Sequence, residues 1–323
     1  MLRFIVKRLL MLIPIIIGIT IVVQLLIEVT PGDPARLMLG LEATPERIQE
    51  VRDEMGLNDP LPVRYIRYMR GVLTGDFGNS FTTGRPVVDE MMQRFPYTVF
   101  LVTISLCLSI LIGIPLGVYA ATNQNTWKDN AAMFVALFCV SMPGFWFALM
   151  LIQEFAVKRR WLPIAGISQW TGWILPVIAL ALGLTAVIAR QTRSNLLEVI
   201  RQDYITTARA KGLGESRVIY RHALKNALIP VIMVIGGMFG SLLGGVLISE
   251  VIFSIPGLGQ YTISALNNRD YPVIQSSVLI LSTLFAVVIL LVDIVFALVD
   301  PRIRSQYIKR GKGKEKMKGR VKT

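Results

Sequence analysis

Six stretches of this chain contain no Asp, Glu, Lys or Arg: Leu9–Ile27, Phe95–Trp127, Asn130–Gln153, Trp161–Ala189, Asn226–Ser249 and Tyr271–Val292. A helix needs about 20 predominantly apolar residues to cross a hydrocarbon core. Each stretch reaches roughly that length. Membrane β-strands are about half as long and alternate in polarity, which these stretches do not. The pattern predicts an all-α polytopic membrane protein with six transmembrane helices. By this reading residues 1–30 hold the first helix and 31–96 a polar segment with short helices. Residues 97–299 form a five-helix core with a polar loop at 194–230, and 300–323 a basic tail.

The polar stretches are patterned too. After the first span, Thr44-Pro45 reads as N-cap and first helical residue, Ile48, Val51 and Met55 form one face, and Gly56 ends the helix. Asn58-Asp59-Pro60 marks a turn. Ile66, Met69 and Leu73 then predict a second short helix that ends before Gly75, and Gly75–Ser80 reads as irregular. The segment Glu28–Arg94 is either a cap over helix ends or a docking surface for a partner. Between Asn195 and Leu228 the periodicity is helical on both sides of a break. Leu196, Ile200, Tyr204 and Ala208 define one face; Ile219, Ala223 and Ala227 define another, flanked by Tyr220, Leu224 and Leu228. Gly212 and Gly214 supply the positive-φ freedom to end the first helix, and Ser216 is placed to cap the next. The result is a helical hairpin with a basic rim between two apolar spans.

Composition agrees with the spans: 53% of residues are hydrophobic and 17% charged. Basic residues set the orientation. Eight lie between Arg190 and Lys225 and ten in the last 23 residues, so both regions, and with them both termini, are expected in the cytoplasm. Lys158-Arg159-Arg160 then falls outside, against the trend. Arg3, Lys7 and Arg8 precede the first span, but its apolar stretch is long for a signal peptide and it reads as a retained helix. The net charge of +13 raises nucleic acid as a partner, yet the basic tail directly after a span reads better as an anchor on anionic membrane lipid. Cys107 and Cys139 read as small packing residues inside spans.

Several residues within or beside the spans carry alternatives. Pro115 and Pro143 predict kinks, for packing or for gating. Gly236, Gly240 and Gly244 recur every four residues, with Gly237 and Gly245 beside them, as a close-packing face or the lining of a path. Asp293 is an acid inside the last span, either functional or paired with a base near the membrane surface. Glu250 ends the fifth span, and Ile255-Pro256-Gly257 predicts a tight turn before a short amphipathic piece leading to Asp270-Tyr271-Pro272. The lone His222 cannot build a metal cluster, no Ser/His/Asp set can be assembled, and no G-x-x-x-x-G-K-[ST] phosphate loop occurs, Gly311-Lys312-Gly313-Lys314 included. No catalytic, cofactor or metal residues are assigned, and the chain is not expected to be an enzyme.

The hairpin resembles the signature loop of the integral-membrane subunits of binding-protein-dependent ATP-binding-cassette (ABC) importers, in its dipeptide, oligopeptide and nickel variant. The residues are Asp203-Tyr204, Thr207-Ala208-Arg209-Ala210-Lys211-Gly212, and Arg221 through Pro230. Thr206-Thr207-Ala208 replace the Glu-Ala-Ala of the general pattern. Pro31-Gly32-Asp33-Pro34, Gly75-Asp76-Phe77-Gly78-Asn79-Ser80, Glu250 to Gly259, Asp270-Tyr271-Pro272 and Asp300-Pro301-Arg302 extend the likeness along nearly the whole chain.

The resemblance implies a type I ABC importer permease fold in a bacterial or archaeal inner membrane. It implies a coupling helix that docks on a separate ATPase and carries its closure to the spans. Tyr204, Thr207, Ala208, Arg209, Ala210, Lys211, Gly212, Leu213 and Gly214 become the coupling residues, and Gly240, Gly244 and Glu250 the pathway candidates. Partners would be a second homologous permease, two ATPase subunits and an extracytoplasmic substrate-binding protein. Peptides are the expected substrates, with nickel complexes or glutathione as alternatives. The rival reading is a self-sufficient secondary transporter or channel. Such proteins show internal repeats or several intramembrane ionisable residues; here there is no clear repeat, and Asp293 stands alone.

Overall fold

The computed structural model of the chain describes residues 2–29, 32–40 and 43–299, and is helical apart from short connections. Among the described residues, five helices are long and apolar enough to cross a membrane, or six when one bent pair counts as a single span. The first is α1 (Leu2–Val29). Three short helices follow, α2 (Pro34–Leu39), α3 (Pro45–Glu54) and α4 (Leu61–Thr74). The core consists of α5 (Val87–Thr122), α6 (Trp127–Ser141), α7 (Gly144–Leu151) and α8 (Ile174–Ile200). After the short α9 (Asp203–Ala210) and α10 (Glu215–Arg217) come α11 (Leu224–Ile252), α12 (Leu258–Asn268) and α13 (Tyr271–Val299).

The caps predicted for α3 are present. The Thr44 hydroxyl accepts the Arg47 amide at 3.3 Å, Pro45 takes the first helical position, and Gly56 adopts φ 64° just beyond the helix. The first core helix starts earlier than its apolar run. α5 begins at Val87 and crosses the division drawn at 96/97, because Asp89, Glu90 and Arg94 continue the helix outward. It also runs unbroken through Pro115. At Pro143 the outcome is the opposite: α6 and α7 meet at a bend of 100°. The fourth apolar run is helical only from Trp170 onward, so residues 161–169 form a connection and the span extends to Ile200.

The tightest helix pair is α5 with α8. A side chain at Gly113 would come within 2.9 Å of Ile188 and of the Thr185 carbonyl, and Gly117 lies on the Ala189 carbonyl. The Ser109 hydroxyl donates across the pair to the Ala181 carbonyl at 3.0 Å. The glycine-rich α11 is less uniform than its four-residue repeat predicts. Gly236 meets Val292 and Gly240 meets Phe285, both on α13, whereas Gly244 faces open space. The three glycines do not form one continuous packing face, because the helical repeat of 3.6 residues rotates each step of four away from the last.

α1 packs on α13. An ion pair of 3.0 Å between Arg8 and Asp293 ties the two together, and Gln24 receives a hydrogen bond from Gln275 at the other end. Asp293 therefore has the basic partner expected for a structural acid. Near the end of the bent span, Lys158 and Arg159 pair with Glu154, and Arg159 also lies over Trp161. Part of that anomalous basic cluster is thus locally neutralised. Cys139 is half-buried, but Cys107 is exposed on α5 and does not pack as expected. The basic tail with Asp300-Pro301-Arg302 lies outside the described residues, as does Pro31.

Candidate functional site

The hairpin begins where α8 ends. Arg201 is still helical, but Gln202 is extended (φ −76°, ψ 147°), and its carbonyl accepts the Ile205 amide to start α9 in a new direction. The expected single face from Leu196 to Ala208 is therefore broken. Leu196 and Ala208 are buried, but Tyr204 is 42% exposed. Its hydroxyl accepts the Asn226 side-chain amide at 2.8 Å. The other buried residue on α9 is Ile205, which periodicity did not single out; it sits three positions before Ala208 on the same turn-to-turn face. The second face is as expected: Ile219, Ala223 and Ala227 are all buried.

These side chains join Val118 and Ala121 of α5 and Val218 in one apolar cluster. The hairpin is thus seated on the α5–α8 pair rather than hanging as a free loop. Helix α9 closes with Lys211 and Gly212 amides on the Thr207 and Arg209 carbonyls at 3.1 and 2.9 Å. Gly212 has φ 78°, a conformation that costs a residue with a side chain roughly 1–2 kcal/mol. Gly214 is extended at φ −61° and itself occupies the cap position of α10, so neither its expected positive φ nor the Ser216 cap is found.

Across this turn the Arg209 guanidinium forms two bonds to the Glu215 carboxylate, at 2.7 and 3.1 Å. The pair brackets the turn and raises the pKa of Arg209 above its ordinary value. From Pro230 back to Val218 the chain is continuous helix, π-helical over Val218–Ala223, and half-buried His222 lies in that stretch. Of the nine residues assigned to the site, Tyr204, Thr207, Arg209, Ala210, Lys211, Gly212 and Gly214 are exposed, Leu213 is half-buried, and Ala208 points into the supporting cluster. What this surface offers is a rigid, short helix end with small residues and a basic rim, anchored from beneath.

The pathway candidates lie elsewhere. Gly240 is covered by Phe285, Gly244 is open, and Glu250 is fully buried. The Glu250 carboxylate accepts the Thr98 hydroxyl at 2.6 Å and the Gln260 amide at 3.0 Å, while Thr98 accepts the Leu258 amide. It holds the first turn of α12 against α5. At the same end of the bundle, Asp270 takes the Ser80 hydroxyl at 2.5 Å and the Phe81 and Thr82 amides at 3.1 Å each. Two sequence motifs far apart in the chain thus form one structure. A cavity of about 660 Å³ adjoins it between α3, α4 and α13, lined in part by Arg64, Tyr68, Asp76 and Gln275. Among the described residues no group of three or more His, Cys, Asp or Glu side chains could hold a metal ion.

Comparison with known proteins gives consistent results. Residues 113–305 match the family described as binding-protein-dependent transport system inner membrane component, and residues 1–102 match its N-terminal companion. The chain is 44% identical to the dipeptide transport system permease protein DppB of Alkalihalophilus pseudofirmus, over 94% of its own length and all of the relative's. It is 42% identical to the glutathione transport system permease protein GsiC of Salmonella paratyphi A, over 94% of this chain and 99% of that one. Among solved structures, an inward-facing MetNI methionine ABC transporter superposes with a TM-score of 0.57 at 18% identity, covering 65% of this chain and 96% of the other. That likeness concerns the fold, which is the one expected from the sequence.

Proposed function

The chain belongs to the binding-protein-dependent transport system inner membrane components, and from that premise we propose that it is the permease subunit of an ATP-driven importer of dipeptides or oligopeptides. The permease does no chemistry itself. It works with a second, homologous permease, two ATP-binding-cassette subunits that hydrolyse ATP, and a substrate-binding protein on the outer face. Both termini and the hairpin lie in the cytoplasm, and α2, α3 and α4 lie outside, where the binding protein docks. Residues 1–30, 31–96, 97–299 and 300–323 act as first span, outer segment, permease core and lipid-facing tail.

The observation that carries the reading is the hairpin: an exposed helix end at Thr207–Gly214 anchored through Ile205 and Ala208 on two long spans. A partner that grips this end moves α5 and α8 without first deforming the loop. Arg209 and Lys211 supply charge at the rim, and Gly212 turns the backbone back beneath the docking surface. On the substrate path, Gly244 lies on the open side of α11, which faces the second permease or the solute, Gly240 lets Phe285 of α13 pack closely behind it, and Glu250 fixes the outer end of that helix. A dipeptide permease and a glutathione permease among the relatives support peptides, glutathione being a tripeptide.

The test is Gly212→Trp in the complete importer, assayed for peptide uptake in vesicles. The bulky residue has open space around it but the wrong backbone conformation for the turn. Membrane insertion should be retained while uptake and co-purification of the ATPase are lost. Undiminished uptake would remove the coupling assignment.

A further inference from the structure

The span that bends at Pro143 is held at its cytoplasmic end by one polar joint. On α6 only Asp129 and Ala136 are buried, while Phe134, Val135, Leu137 and Phe138 are exposed. This helix therefore lacks the glycine-backed seam that joins α5 to α8. Its first turn is fixed instead by Asp129, which is 1% exposed. The carboxylate accepts Nε and Nη2 of Arg193 at 2.5 and 2.6 Å and the backbone amide of Asn125 at 3.1 Å. Asn125 itself sits in the left-handed region at φ 63°. Arg193 lies on α8, three residues before Leu196, which belongs to the cluster that seats Ile205 and Ala208.

Displacement passes between helices only through contacts that resist it. The α5–α8 pair moves as one, because its backbones touch at Gly113 and Gly117. Apolar side chains on α6 would allow it to slide past. A two-bond guanidinium–carboxylate fork does not, since it is directional and a slip would leave a buried charge unpaired. From this joint α6 runs to the bend. There Met142, Gly144 and Phe147, with Gly183 of α8 and Met238 and Gly245 of α11, line a cavity of about 250 Å³.

We propose that Asp129 and Arg193 form a positioning joint that carries the hairpin's ATPase-driven movement from α8 into α6, and so reshapes the cavity at the broken span. This rests on the coupling reading given above. Neither residue touches solute; both act through the helix they steer.

The experiment uses the complete importer in proteoliposomes, with uptake and ATP hydrolysis measured on the same vesicles. Radiolabelled dialanine and glutathione serve as probes, and the one the native complex accumulates is followed. The double variant Asp129→Asn with Arg193→Gln removes both charges and preserves shape, which spares folding better than leaving one charge buried. Arg193→Lys keeps the charge but loses the fork. In the double variant the complex should assemble and hydrolyse ATP, but uptake per ATP should fall about tenfold, with Arg193→Lys in between. A native ratio in the double variant would overturn the joint. So would an uptake loss that only tracks the fraction of folded complex. Uptake by the native complex without nucleotide would instead remove the motor, and the joint with it.

Discussion

The carboxylate of Asp270 receives the hydroxyl of Ser80 at 2.5 Å, although the two residues stand 190 positions apart. Asp270 is buried, and its carbonyl also accepts the Ile274 amide at the start of α13. A single acid therefore pins the loop before α5 to the helix that ends the bundle.

Replacing Asp270 by Ala leaves a hydroxyl and two backbone amides without their acceptor. The variant should lose on the order of 3 kcal/mol of stability, and Ser80→Ala about 1 kcal/mol. Thermal unfolding of the purified subunit complex in detergent gives the comparison. Equal losses from the two substitutions would mean that the loop amides find other partners.

At the C-terminal end of α11, Gly257 and Glu250 depend on each other. A side chain added at Gly257 would fall on the Glu250 carboxyl group, and one at Gly259 would approach it at 2.8 Å. Gly257→Ala should therefore destabilise the protein about as much as Glu250→Ala, roughly 2–4 kcal/mol each. The double variant should cost much less than the sum, because both changes disrupt one site. Additive losses in a double-mutant cycle would contradict this.

The hairpin offers a contrast between its buried and exposed sides. Ile205 is fully buried, so Ile205→Ala should cost about 2–5 kcal/mol and release α9 from the spans. Arg209 and Glu215 are 39% and 59% exposed, and removing their pair should change stability by less than about 1 kcal/mol. Thermal unfolding separates the two cases. Loss of uptake in Ile205→Ala with ATPase still attached would place the defect in transmission rather than docking.

The chain's local signals and its tertiary pairings divided cleanly. Six apolar runs, the Thr44-Pro45 helix start, and the turn at Gly212 were legible because each is decided within a few neighbouring residues, by transfer free energy, capping or φ. The family motifs were legible as well, but only as words along a line. That Gly75–Ser80 meets Asp270-Tyr271-Pro272 was not visible. Sequence also passed over Ile205, Asp129 and Arg193, and predicted one continuous helix where the chain breaks at Gln202. The reason is physical. Membrane helices are apolar on every side, so hydrophobic periodicity does not say which face meets which neighbour. The α5–α8 contact, the 100° bend at Pro143 beside an unbroken Pro115, and the Asp129–Arg193 joint are decided by pairings between distant segments. Only the assembled bundle brings those groups within bonding distance.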